Sequence, residues 1–358
     1  MKLERLETPA LVVDEAAFEK NIDTMDALLA GSKARLRPHY KSHKCAAIAK
    51  RQIAAGAVGM TCAKLGEAED LIRAGIRDVL IANQIVDPRK LRRVAKLAGQ
   101  CRLTVCVDEE ENARELSKAA AAAGTTVHVL VEYEIGMERC GVEDADEYVA
   151  LAKLVSELPG LHYAGVQAYA GHVSHMAGAA EREKYTKENA RKLRALLKKL
   201  EKAGVPAKTV SGGSTGTAAI KAKQGIYTEL QAGSYLFLDS TYRKLRLPFR
   251  NSLFLLTTVV SRRGGRTILD AGVKSLGVDQ DEPALFTLDG KELHAKRIEV
   301  NEEHLKLFCL DRELPLGAQV LVMPGHCCST VNLHDRLYFF RDGKITGSVK
   351  VTARGKAR

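Results

Sequence analysis

The chain has 358 residues, which is enough for two domains with a large hydrophobic core. Its composition of 46% hydrophobic and 28% charged residues is that of a globular protein, without low-complexity tracts or apolar runs of membrane-spanning length. The formal net charge is +11, but only 5% of the residues are aromatic and no recognition motif accompanies the basic residues, so we expect no nucleic-acid binding.

Cysteine usage and the start of the chain suggest a compartment. The eight cysteines are scattered without CxxC pairs, unlike a secreted disulfide framework. The first five residues, Met1 to Arg5, contain no apolar signal region. We therefore expect a soluble, reduced, cytoplasmic protein that does not bind membranes.

The first two thirds of the chain alternate between apolar strands and helices. A strand at 8–13 and a helix at 15–29 precede a strand at 36–41. Further strands are predicted at 57–62, 78–83, 103–107, 127–132, 163–169, 209–211 and 228–230, with helices between most of them. About eight such units predict an α/β fold of the TIM-type (β/α)8 barrel class over residues 14–240. A doubly wound open sheet is the alternative, although no GxGxxG follows the first strand.

The pattern changes from about Leu245 onward. Short apolar segments alternate with turn signals such as Arg263-Gly264-Gly265, Asp289-Gly290 and Asp342-Gly343. This pattern predicts a C-terminal all-β domain at residues 241–358. Residues 1–13 are expected to add a strand to it.

The basic segment at residues 37–45 is the first candidate for chemistry. In a strand, Arg37, His39 and Lys41 would share one face, which places Lys41 inward at a strand end. Burial lowers the pKa of a lysine, and a neutral amine can form a Schiff base with a carbonyl compound. An exposed basic edge strand is the alternative.

Other candidates lie at the ends of predicted barrel strands, where active sites of such barrels are built. Arg139 and Tyr169 are two of them, and His175 is a candidate general base. Glycines and hydroxyls that can bind a phosphate group cluster in two turns. These turns contribute Ser211, Gly213, Ser214, Thr215, Gly216 and Thr217, and then Gly233, Ser234 and Tyr235. Flexible connectors would have the same composition.

The β domain contains one candidate metal segment, Pro324-Gly325-His326-Cys327-Cys328. His326 and Cys328 are spaced i, i+2 and can point the same way, and an imidazole with a thiolate forms half of a zinc site. Open remaining positions would make the site catalytic. A buried structural cysteine is the alternative.

Together these segments resemble the D-threonine aldolase and D-serine dehydratase family of fold-type III pyridoxal-phosphate enzymes, which is related to alanine racemase. The resemblance runs along nearly the whole chain and rests on RPHYKSHKC, VEYEIGMERCGV, QAYAGHVSH, SGGSTGT, ELQAGSY, DAGVKSLGVD and GHCCSTVNLHD. It implies pyridoxal 5'-phosphate bound through Lys41, a ring held by Arg139 and Tyr169, and a phosphate held by the two glycine turns. It further implies His175 near the substrate hydroxyl and a divalent metal (Zn, Mn or Mg) at His326 and Cys328.

The resemblance also implies an activity and an assembly. We expect a homodimer with its active site at the interface, and a lyase that cleaves β-hydroxy-D-amino acids by a retro-aldol reaction, as in D-threonine to glycine and acetaldehyde. The His-x-Cys pair resembles the dehydratase branch, whereas aldolases with this pattern have His-x-Asp. Dehydration to a 2-oxo acid and ammonia is therefore the alternative. An amino-acid racemase or a non-catalytic cofactor-binding protein is more remote.

Overall fold

The computed structural model describes residues 1–358, which divide into two compact units. The barrel unit consists of Asp26–Lys41, Ala49–Gly233 and Lys356–Arg358. The β unit consists of Met1–Met25, Ser42–Ile48 and Ser234–Gly355. The domain boundary that we predict at residues 240 and 241 stays a prediction.

The chain begins with strand β1 (Ala10–Asp14) and helix α1 (Glu15–Leu29). Eight parallel strands then follow, most of them separated by helices. The strands are β2 (Arg35–Leu36), β3 (Met60–Cys62), β4 (Asp78–Gln84), β5 (Arg102–Val107), β6 (Val127–Glu132), β7 (Leu161–Ala168), β8 (Thr209–Gly212) and β9 (Glu229–Leu230). The helices are α2 (Ala46–Ala54), α3 (Leu65–Arg73), α4 (Pro88–Ala98), α5 (Glu110–Ala122), α6 (Ala145–Glu157), α7 (Ala179–Lys202) and α8 (Ala218–Gln224).

The parallel sheet closes on itself. Its strand order is β2-β9-β8-β7-β6-β5-β4-β3, and a parallel bridge between His39 and Thr61 joins the two ends. Five of the six residues of β5 are buried, which is the pattern of a strand covered on both faces. The predicted TIM-type barrel is confirmed.

The segment around Lys41 differs from the prediction. Strand β2 ends at Leu36, and Tyr40–Ser42 form a 3₁₀ turn instead of continuing a strand. The Tyr40 side chain is fully buried, and its hydroxyl donates to Asp70 Oδ2 at 2.7 Å. Tyr40 is packed in the core, whereas the neighbouring Lys41 is exposed. The expectation that Lys41 is buried at the end of a strand is therefore wrong.

The β unit is built on a sheet of short strands, with two short helices between them. Its remaining strands are β10 (Leu253–Arg263), β11 (Arg266–Leu269), β12 (Ala284–Phe286), β13 (Glu292–Leu293), β14 (Ala295–Val300), β15 (Leu305–Leu310), β16 (Gln319–Met323), β17 (Arg336–Arg341) and β18 (Lys344–Lys350). The helices are α9 (Ser240–Arg243) and α10 (Cys327–Val331).

Strand β1 lies in the middle of this sheet. It pairs antiparallel with β10 and parallel with β17, whereas the other pairs of the sheet are antiparallel. The all-β character predicted for the C-terminal region is confirmed. No helix in either unit has the length and apolar character needed to cross a membrane.

Candidate active site

The candidate cofactor residues of the barrel unit follow the carboxyl ends of its strands. Lys41 lies in the 3₁₀ turn after β2, Arg139 in the loop after β6, and Tyr169 directly after β7. The Gly213–Thr217 segment follows β8, and Gly233 follows β9. Side chains that extend from this end of a parallel barrel share one mouth, which is where such folds bind their ligands.

The turn formed by residues 212–217 requires glycine. Gly213 has φ +78°, and a Cβ atom there would lie 2.9 Å from the Leu230 side chain and 3.2 Å from that of Lys221. A 3₁₀ turn follows at Thr215–Thr217, with the Ser214 N–H donating to Thr217 Oγ1 at 3.2 Å. The backbone of this turn is therefore tightly packed against the Leu230 and Lys221 side chains. The hydroxyl side chains of the turn are the groups that can bind a ligand.

The residues of the 212–217 turn fit a phosphate group. Thr215 is only 3% exposed, yet its Oγ1 has no hydrogen-bond partner in the protein. A buried hydroxyl without a partner is rare in folded proteins and points to a missing ligand. Ser211 is different, because its Oγ accepts from Gln231 Nε2 at 2.9 Å inside the barrel. The contact of Ser211 with a cofactor stays a prediction.

Arg139 and Tyr169 are brought together. The Arg139 guanidinium carbon lies 5.6 Å from the centre of the Tyr169 ring, and its Nη2 lies 3.8 Å from Glu132 Oε1. Gln84 Nε2 donates to the other Glu132 oxygen at 2.7 Å. Burial raises the pKa of Glu132, while the bond from Gln84 and the charge of Arg139 oppose that rise. Sequence reasoning missed Glu132, although a carboxylate that ends an apolar strand was the available signal.

The two histidines after β7 are both exposed but differ in what the structure shows of their contacts. His175 lies beyond the 3₁₀ turn Gly171–Val173 and is exposed. The His172 ring packs against Gly136, where a Cβ atom would lie 3.0 Å from it. Burial lowers the pKa of His172. His175 therefore has the solvent access of a proton acceptor, but its role stays a prediction.

The candidate metal pair lies at the start of α10 in the β unit. His326 is the residue before this short helix, so the pair does not sit on a strand. A hydrogen bond joins the His326 and Cys328 side chains, and the Cys328 thiol also donates to Ser42 Oγ at 3.6 Å. Ser234 Oγ lies 3.9 Å from the same sulfur, and Tyr235 next to it is buried against Phe249.

Asp279 contacts the His326 ring and orients it. The sequence did not predict this role of Asp279. Its Oδ2 lies 2.6 Å from His326 Nδ1, and its Oδ1 accepts from Ser329 at 2.5 Å. Burial lowers the pKa of His326, but the bonds to Cys328 and Asp279 outweigh it and raise that pKa to about 9. A carboxylate that fixes Nδ1 leaves Nε2 for a metal, as in many histidine-ligated sites.

The donor set fits a divalent metal with two protein ligands. His326 and Cys328 supply the imidazole and thiolate that zinc prefers, and two ligands leave positions for water or substrate. The structure contains no cluster of three or more His, Cys, Asp or Glu side chains with metal-binding geometry. The metal pair, Ser234 and Tyr235 belong to the β unit, whereas the other candidates belong to the barrel unit.

Two family models match the chain. Residues 13–241 match the model described as alanine racemase, N-terminal domain, and residues 252–340 match the putative serine dehydratase domain. The chain is 41% identical to a D-threonine aldolase from Arthrobacter sp, over 99% of this chain and 95% of that protein. It is 35% identical to a 3-hydroxy-D-aspartate aldolase from Paracoccus denitrificans, over 98% and 93% of the two chains.

Solved structures of related enzymes also superpose closely on this chain. The D-threonine aldolase from Filomicrobium marinum superposes with a TM-score of 0.95 at 38% identity, covering 100% of this chain and 98% of that one. A D-threo-3-hydroxyaspartate dehydratase, solved as a cysteine-to-alanine mutant in the metal-free form, has a TM-score of 0.88 at 26% identity and covers 98% and 99% of the two chains.

Proposed function

The chain belongs to the D-threonine aldolase and D-serine dehydratase family of fold-type III pyridoxal-phosphate enzymes, and we propose that it cleaves β-hydroxy-D-amino acids by a retro-aldol reaction. The similarity to a D-threonine aldolase over 99% of the chain carries this proposal. The substrate class is that of D-threonine.

The barrel unit supplies the residues that hold the cofactor. Pyridoxal 5'-phosphate, when bound, supplies an electron sink for the bond that breaks at Cα. Lys41 would hold the cofactor through its side-chain amine, and its exposure in the 3₁₀ turn after β2 would leave that amine within reach of a substrate. Arg139 and Tyr169, which contact each other, hold the ring, and the 212–217 turn with Thr215 Oγ1 holds the phosphate.

The β unit supplies the residues that hold the metal. A divalent ion held by His326 and Cys328 would supply a Lewis acid that lowers the pKa of the substrate hydroxyl. Asp279 keeps the His326 ring in one orientation through Nδ1. His175 accepts the hydroxyl proton at a ring nitrogen, the Cα–Cβ bond breaks, an aldehyde leaves, and Cα takes up a proton to give glycine.

Dehydration is the second candidate function, and Cys328 favours it. The thiol lies beside His326, and the metal-free form of the related dehydratase is a cysteine mutant. In this reaction Lys41 takes the α-proton, hydroxide leaves from Cβ, and hydrolysis yields ammonia and a 2-oxo acid.

Product analysis separates the two reactions. The purified enzyme with pyridoxal 5'-phosphate and Mn²⁺ or Zn²⁺ is incubated with D-threonine and with D-serine. Acetaldehyde and glycine from D-threonine support the aldolase, whereas 2-oxobutyrate and ammonia identify the dehydratase. Lys41→Ala is the negative control, and a chelator should abolish either activity if the metal is required. Absence of both product pairs in the metal-loaded holoenzyme would contradict the proposal.

The proposal includes a homodimer, because members of this family complete the barrel mouth with a second chain. Light scattering of the holoenzyme should give twice the 39.0 kDa chain mass. A mass of one chain in an active preparation would contradict this part of the proposal.

A further inference from the structure

Lys221 on α8 is a buried lysine that the proposed reaction does not use. Its side chain is 2% exposed, and no carboxylate in the structure pairs with it. Its ammonium donates a hydrogen bond to the Tyr227 hydroxyl and lies 3.9 Å from the centre of the Tyr227 ring. Burial lowers the pKa of Lys221 to about 7. An unpaired buried lysine is unfavourable unless something compensates its charge.

The lysine runs directly beneath the 212–217 turn. A Cβ atom on Gly213 would lie 3.2 Å from Lys221 Cδ, so the glycine leaves the room that the lysine chain occupies. Tyr227, the partner of the ammonium, would lie 3.0 Å from a Cβ atom on Gly212. The Tyr227 hydroxyl donates in turn to the Ala168 carbonyl at 3.2 Å, at the end of β7. The charge is therefore held under the turn that the proposed function gives to the phosphate.

The contact with Tyr227 does not balance the buried charge. A cation above an aromatic ring gains about 2 kcal/mol when desolvated, and a phenol oxygen carries no negative charge. On the same turn, Thr215 Oγ1 is buried without a partner. The Lys221 amine beneath this turn and the Thr215 hydroxyl on it would both be satisfied by a ligand with a doubly charged phosphate group.

We propose that Lys221 is the counter-charge of the cofactor phosphate, which it binds electrostatically from beneath the 212–217 turn. The inference rests on the proposed binding of pyridoxal 5'-phosphate, and it identifies a residue that binds through its charge and takes no part in the bond-breaking step. It makes a specific prediction for the cofactor without its phosphate. Loss of the Lys221 charge should weaken the binding of pyridoxal 5'-phosphate and leave the binding of pyridoxal unaffected.

The test compares two ligands and three proteins. Apoenzyme of the wild type, of Lys221→Met and of Lys223→Met is titrated with pyridoxal 5'-phosphate and with pyridoxal, and Schiff-base absorbance reports binding. Lys223 is exposed on the same short helix and is the matched control. We expect Lys221→Met to lower the affinity for pyridoxal 5'-phosphate by more than tenfold, which corresponds to about 1.4 kcal/mol of binding free energy. The affinity for pyridoxal should stay unchanged within about twofold.

The other outcomes overturn the inference. An equal loss of affinity for both ligands would mean that Lys221 only supports the fold. Unchanged affinity for both would mean that Lys221 does not interact with the phosphate. Failure of the wild type to bind pyridoxal 5'-phosphate at all would instead contradict the proposed function.

A measurement on the wild type keeps the inference testable if Lys221→Met does not fold. Calorimetric titration of the apoenzyme with inorganic phosphate at pH 8, in buffers of different ionisation enthalpy, counts the protons bound. We expect proton uptake, because the phosphate charge stabilises protonated Lys221. His172 and Tyr227 are the other titratable groups that face the lysine, and His172→Gln removes the imidazole contribution. Binding without proton uptake would overturn the inference.

Discussion

Replacing Lys221 with methionine should stabilise the apoenzyme. The pKa of this lysine falls from 10.5 to about 7 because it is buried. One pKa unit corresponds to about 1.4 kcal/mol, so the protonated side chain destabilises the fold by about 5 kcal/mol at most. Methionine fills similar space without a charge, and the Tyr227 hydroxyl keeps its bond to the Ala168 carbonyl.

The gain in stability of Lys221→Met over the wild type should decrease as the pH rises. Between pH 7 and 10.5 the unfolded chain carries a proton on Lys221 that the folded chain lacks, so wild-type stability rises with pH across this window. The difference between variant and wild type is therefore largest below pH 7 and vanishes above 10.5. At pH 7 it should be about 4 kcal/mol if burial is the sole cause.

Thermal unfolding of the two apoenzymes, followed by circular dichroism at pH 6.5, 7.5 and 9, tests this reasoning. Even half of the predicted gain, about 2 kcal/mol, should raise Tm by roughly 3 °C at the lowest pH. Saturating pyridoxal 5'-phosphate should raise the Tm of the wild type more than that of the variant. A variant apoenzyme less stable than the wild type at pH 6.5 would refute the argument, because the lysine would then be a net stabilising group.

Three further substitutions test other parts of the site. Asp279→Asn should weaken metal binding about 10- to 100-fold by releasing the His326 ring, with the exposed Asp289→Asn as control, and retained metal content after dialysis would count against this role. Thr215→Val removes an unpaired buried hydroxyl and should stabilise the apoenzyme by about 1 kcal/mol while weakening pyridoxal 5'-phosphate but not pyridoxal; a destabilised apoenzyme would argue against it. Tyr40→Phe should destabilise the protein by about 1–2 kcal/mol in denaturant unfolding, because Asp70 loses the buried 2.7 Å hydrogen bond, and an unchanged midpoint would contradict this.

The architecture could be predicted because its signals are periodic and local. Apolar segments such as 103–107 recur with helices between them, and strands buried on both faces need no long-range information to be recognised. The short strands after Leu245 are equally visible, since glycine turns punctuate them. Both regions fold in the predicted class.

The conformation around Lys41 could not be predicted from alternation alone. A strand through residue 41 satisfied the local pattern, but it ignored the partner of Tyr40. Asp70 accepts the Tyr40 hydroxyl and also the Lys356 ammonium at 2.7 Å, and both residues are distant in sequence. A tertiary hydrogen bond, which alternation along the sequence does not reveal, therefore accompanies the turn in which Lys41 is exposed.

The residues that contact and orient the site residues could likewise not be predicted from the sequence. Glu132 and Asp279 carry no motif of their own, and each acquires meaning only through the residue that it contacts, Arg139 or His326. Motif reading finds the groups whose identity the chemistry requires. It does not find the groups that orient them, because many residue types at many positions can do so.

Lys221 shows the same limit within one short helix. In sequence it is indistinguishable from Lys223, since both lie in the basic segment of α8. Two positions on a helix are separated by about 200°, so a lysine facing solvent at 223 implies one facing the barrel at 221. Only the close packing around Gly213 shows that this inward face lies under the 212–217 turn. A lysine buried at such a position without a charged partner is unfavourable for folding alone, and this is the physical reason to look for its partner in the ligand.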